Sequence, residues 1–250
     1  MRRSLRLAIA LAGVVLVNGP TNVHGQTSNS VQASGNLTAT VSVQELQISA
    51  KSRNTVLKGI ECLRKGEAQR GLSYFEQAIQ ASPKYRQAYY QKGLAQVRLD
   101  QAGEALKSFQ KALDLSNGHY ALAYFGYGQA LAKLGRFEDA ETMLRQGLEE
   151  DSSMAEGYIA LSLVLINQHR LDDAEDAAQK ALHTPDPFVW KAHLSLACID
   201  AYKGQYQSAV QHMDAYLQQL RASGEKGLLP AVERARGELA AKIASQESGR

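Results

Sequence analysis

The stretch Tyr89–Asn117, YYQKGLAQVRLDQAGEALKSFQKALDLSN, sets the pattern for the chain. It places an aromatic at Tyr89, a small residue at Gly93, and then Ala105, Phe109 and Ala112. Shifted by 34 or 35 residues, the same template matches again. The first small slot reads Gly59, Gly93, Gly128, Ser162, Ala197, and the second reads Gly71, Ala105, Ala140, Ala174, Ala209. The bulky slot four residues later reads Phe75, Phe109, Leu144, Ala178, Met213. A fixed period of this length marks an array of structural repeats. Small residues let helix backbones approach closely, and bulky ones fill the space between neighbours. One helix pair cannot bury its apolar face alone, so neighbours stack and share a core. Ala, Leu, Gln, Glu and Lys dominate the repeats and favour helix. In the turn LGRFED, Leu134–Asp139, Gly135 is expected at positive φ.

The pattern resembles the tetratricopeptide repeat over about Ser52 to Leu220. The units register as about 52–85, 86–120, 121–154, 155–189 and 190–223. The first carries Gly59, Phe75, Ala78 and Pro83, but has Thr55 where an aromatic is expected. The third has Tyr124, Gly128 and Ala140, with Leu144 at the second aromatic. The fourth has Tyr158, Ala174 and Ala181, with Ala178 in place of a ring, and the fifth departs most, with His193, Ala197 and Tyr216. The resemblance implies an all-α fold: a right-handed α-solenoid of about five helix pairs.

Outside the repeats, Met1 to about Gly25 has the composition of a secretory signal peptide. Arg2, Arg3 and Arg6 precede an apolar run from Leu7 to Val17, and Val23-His24-Gly25 offers a cleavage site before Gln26. The run is far short of the roughly 20 residues that span a bilayer. No Cys follows it before Cys62, which argues against a lipoprotein. The expected fate is export to a periplasm or the exterior. Residues 26–50 are read as a flexible linker and a short extended arm, VSVQELQIS. After residue 223 a loop leads to a last helix, Leu228–Ser245, whose Val232, Ala235, Leu239 and Ile243 share one face and cap the array.

The formal net charge is +3, and removing the leader's three arginines leaves basic and acidic residues in equal number. Charge therefore gives no case for nucleic acid or an acidic membrane surface. No metal-ligand spacing such as H-E-x-x-H or paired C-x-x-C occurs. His193 and His212 fall where they can meet within one unit. Gly126-Tyr127-Gly128 lies inside a helical pattern and lacks the strand that a nucleotide loop needs. Acidic runs such as Asp172-Asp173 are read as helix caps and solvated faces. No nucleophile stands beside a base, so no catalytic, cofactor or metal residues are expected.

In this family the first helix of each unit lines a concave groove. Carried onto this sequence, the inner positions are Val56, Ile60, Arg64; Tyr90, Leu94, Arg98; Phe125, Gln129, Lys133; Ile159, Leu163, Asn167; and Leu194, Cys198, Tyr202. The family's clamp for a terminal carboxylate uses Lys and Asn at such positions. Here Val56, Tyr90 and Phe125 replace them, so that ligand is not expected. Partner contacts are assigned to Tyr90, Leu94, Arg98, Phe125, Gln129, Ile159, Leu163 and Leu194. The expected function is a non-catalytic adaptor that binds a protein or peptide segment in an apolar groove. The alternative is a structural assembly subunit of an envelope or secretion complex. The oligomeric state stays open.

Overall fold

The computed structural model describes residues 48–224 and 227–247. The expected leader, the linker and residues 41–47 of the arm lie outside them. The described residues are all-α, with eleven α-helices, one 3₁₀ turn and no strand among them. They fall into two compact units, 48–126 and 127–247, each described on its own.

In the first unit, α1 (Ala50–Arg64) pairs with α2 (Ala68–Ala81), and α3 (Arg86–Arg98) with α4 (Ala102–Leu115). Helix α5 (Ala121–Lys133) begins here and continues into the second unit. There follow α6 (Phe137–Glu150), α7 (Ala155–Asn167) with α8 (Leu171–Leu182), the 3₁₀ turn Val189–Lys191, α9 (Ala192–Lys203) with α10 (Tyr206–Ser223), and α11 (Leu229–Glu247). The array is thus the helix-pair fold of the solenoid class that the spacing requires.

The small slot works by contact. A Cβ on Gly59 would lie 2.5 Å from Phe75 Cε1, one on Gly93 2.6 Å from Phe109 Cε1, and one on Gly128 2.6 Å from Leu144 Cγ. Phe109 is held from two sides, because a Cβ on Gly126 would stand 2.5 Å from the same ring carbon. Every residue of the bulky slot, Phe75, Phe109, Leu144, Ala178 and Met213, is fully buried. Where the fourth slot shrinks to Ala178, the facing Ser162 and the neighbouring Ala174 and Ala181 are fully buried as well.

The turn inside each pair is one structure used five times. Gly66, Asp100, Gly135, His169 and Gly204 all have positive φ, from 60° to 79°. One residue later the amide donates to a carbonyl near the end of the helix just completed: Glu67 to Cys62, Gln101 to Gln96, Arg136 to Leu131, Arg170 to Leu165 and Gln205 to Asp200, at 2.8–3.0 Å. This is the Schellman arrangement, which satisfies carbonyls that the helix end would leave bare. The next helix starts at once, so Asp172 and Asp173 sit in the first turn of α8 and do not cap it as expected. They favour the helix through its positive end. Arg170 holds the N-cap position, and its Nε donates to Asp173. At the C-terminus Val232, Ala235 and Leu239 of α11 are buried and Ile243 is half-buried, with α11 against α10.

Three outcomes are expected in chemical denaturation. Gly93→Ala costs about 1–3 kcal/mol, because the ring it strikes has Gly126 on its other side. Phe109→Ala costs about 3–5 kcal/mol. His169→Gly raises stability by up to about 1 kcal/mol, since an L-residue with a side chain is strained at φ 60°.

Candidate functional site: the first-helix face

In the unit 48–126, the inner positions Val56, Ile60, Tyr90 and Phe125 are buried, Leu94 is half-buried against the core, and Arg64 is exposed. Tyr90 is committed to packing. Its ring meets Tyr120 edge-on at 5.6 Å between centroids and Phe109 at 5.9 Å. The Arg86 guanidinium lies 5.0 Å from the Tyr120 centroid. Arg98, assigned to a partner by the family pattern, reaches back one repeat. Its Nη1 donates to the Leu63 carbonyl at 2.8 Å, near the end of α1, where a cation complements the helix dipole. Burial pulls its pKa below the usual arginine value.

In the unit 127–247, Ile159, Leu163 and Leu194 are buried, while Lys133, Asn167 and Tyr202 are half-buried. Asn167 Nδ2 donates to the Leu163 carbonyl at 2.8 Å. Gln129 meets a residue that sequence inspection passed over. Its Nε2 donates to Glu156 Oε1 at 3.3 Å, and Glu156 is only 3% exposed. The signal was present as a lone acid in the first turn of an otherwise apolar helix, AEGYIALSLVLIN. Burial pushes the Glu156 carboxyl up to about 7, opposed by the Gln129 hydrogen bond and the Lys191 charge. Its other oxygen, Oε2, has no partner.

The same unit carries an open groove of about 350 Å³ between α6, α7 and α8. Leu148, Leu161, Leu165 and Ala177 provide its apolar lining. The cations at its rim are paired within the chain: Arg145 binds Glu141 at 2.7 Å, Arg170 binds the same residue at 2.8 Å, and Lys180 pairs with Asp176 at 2.7 Å. The sequence reading placed no ligand here.

Both cysteines are buried free thiols, and burial pushes Cys198 up to about 12, which leaves it an inert core residue. Among the described residues no group of three or more His, Cys, Asp or Glu is arranged to hold a metal ion. Among them, too, no helix is long and apolar enough to cross a membrane.

Glu156 generates a pH prediction. Its folded pKa stands above the unfolded value, so the neutral acid favours folding below about 4.5, and that contribution is lost as pH rises through about 7. Glu156→Gln removes the loss. The variant is expected to melt higher than the parent at pH 8, with the gap closing at pH 5, as read by thermal denaturation followed by circular dichroism.

Comparison with known proteins agrees with this geometry. A tetratricopeptide repeat family model matches residues 57–120 and 159–225, and a second tetratricopeptide repeat model matches residues 96–156. A STIP1 homolog of Dictyostelium discoideum is 31% identical over 120 residues, 48% of this chain and 19% of that protein. An uncharacterized protein of Methanocaldococcus jannaschii, MJ0572, is 39% identical over 56 residues, 22% of this chain and 65% of that one. The chain therefore spans 19% to 65% of the curated relatives it matches. Among solved structures, the thermophilic repeat protein TTC0263 of Thermus thermophilus superposes with a TM-score of 0.66 at 20% identity, covering 77% of this chain and 99% of that one. That likeness speaks to fold. With family models in phase with helices α1 to α10, and more than half the chain matched, this chain belongs to the tetratricopeptide repeat family.

Proposed function

We propose that this protein is an exported, non-catalytic adaptor that holds a protein segment against the first helices of its repeats. Repeats of this family serve protein–protein interaction, and that much follows from membership. The finer reading is supported by first-helix positions that the packing leaves partly open. Leu94 in the unit 48–126, and Lys133 and Tyr202 in the unit 127–247, are such half-buried positions, within a partner's reach. An extended or helical peptide presenting apolar side chains is the matching ligand.

Site-specific photocrosslinking in cells tests the surface. Probes at Lys133 and Tyr202 are expected to give the same discrete protein adduct, whereas a probe at Gln146, on a second helix of that unit, gives none. Adducts confined to the second-helix probe would overturn the reading. Export is tested separately by N-terminal sequencing of the purified native protein. A mature chain beginning near Gln26 is expected; a chain retaining Met1 contradicts cleavage.

A further inference from the structure

His193 on α9 and His212 on α10 meet in the last helix pair, with their Nδ1 atoms 3.0 Å apart. Their ring centroids are 5.2 Å apart and the ring planes are inclined by 28°. The centroid separation is nearly the contact distance plus one ring radius at each end. The two nitrogens therefore face each other along the line joining the rings. That is the geometry of an N–H···N hydrogen bond, and it leaves no room for a metal ion between them.

Such a bond needs a proton on one Nδ1 and a lone pair on the other. The surroundings select the arrangement. Asp200 Oδ2 lies 3.8 Å from His212 Nε2, and Ser208 Oγ donates to the same oxygen at 2.5 Å. With the Nε2–H of His212 turned toward that carboxylate, its Nδ1 is left to accept and His193 Nδ1 to donate. Asp200 is itself buried.

We propose that the His193–His212 pair is a proton-operated catch between α9 and α10, which accepts one added proton and is broken by a second. The first proton leaves one imidazolium donating to one neutral imidazole, with the Asp200 carboxylate 3.8 Å from the pair at His212 Nε2. The second sets two N–H⁺ groups against each other, with no acceptor and like charges at 3.0 Å. Other charged groups of the packed elements are engaged elsewhere. Lys203 at the end of α9 binds Asp172 and Glu175 of α8. Lys191 of the 3₁₀ turn lies over the Phe188 and Trp190 rings. On α10, Asp214 pairs with Arg236 and Arg221 with Glu233, both across to α11, whose Lys242 covers Tyr206. Arg234 and Glu238 of α11 are exposed, and Glu156 of α7 faces Gln129. Asp173, Asp176 and Lys180 of α8 line the groove on the side of α6.

The direction follows from the environment. Burial first, and the neighbouring His212 second, hold His193 below its ordinary value of 6.5. Unfolding takes up a proton, so stability that is present above about 6.5 is lost as pH falls. Because α11 packs on α10, release of α10 also frees the cap of the array.

The test is a histidine-ring NMR titration of the whole protein, run beside amide hydrogen exchange corrected for intrinsic rates. The expected result is that the second proton enters the His193 ring below the ordinary histidine range. At the second step, protection in α10 and α11 falls by about tenfold or more while α7 and α8 hold. In His193→Gln the low-pH step and the acid-induced loss of protection both disappear; should that variant fail to fold, His212→Asn is read the same way. Independent titration of both rings with α10 protection unchanged would overturn the proposal. So would an acid-induced loss that survives in the variant.

Discussion

At Gly93 the backbone of α3 comes so near the Phe109 ring that one added methyl group has no place. This closeness recurs at Gly59 on Phe75 and at Gly128 on Leu144. Each pair of helices is drawn together until a ring or a branched side chain meets bare backbone. At that range the bulky side chain loses all contact with water, and its position fixes where the next helix can lie. Gly126 shows the consequence, because it carries the same constraint on Phe109 into the following helix. The rest of the fold is subordinate to it. The five Schellman turns bring the chain round in time to make the contact, and Arg98 and Ser108 tie the helices already so placed.

The same constraint divides labour between the helices. Second helices present charged faces whose partners lie on the same or adjacent helices, as Glu141 shows with Arg145 and Arg170. First helices do both: Lys92 reaches Glu76 and Lys203 reaches Asp172 and Glu175, while a few polar residues, Glu156 among them, are enclosed.

The period was legible because small and bulky slots return every 34 or 35 residues, and each is set by a contact that tolerates few residue types. Gly135 at positive φ was legible too, since only the turn chemistry was needed. His169 and Asp100 at the equivalent position were not, because neither residue type announces a left-handed turn on its own. The site was harder to see. The family pattern put Arg98 and Tyr90 on a partner, yet Arg98 reaches the Leu63 carbonyl and Tyr90 packs on Phe109 and Tyr120. These contacts join residues about one repeat apart or in facing helices, and no local pattern reports them. Glu156 stood out only as a lone acid in an apolar helix; the partner that meets it, Gln129, lies 27 residues away in sequence.

If the closure between small slot and ring governs the fold, the two residues must be energetically coupled. A double-mutant cycle of Gly93→Ala with Phe109→Leu, followed by urea denaturation of the full chain, measures that coupling directly. The account predicts that the methyl group costs much less once the ring is replaced by a side chain that can yield, so the two changes are strongly non-additive. Strict additivity would mean that the pair does not set the helix spacing, and would contradict the account.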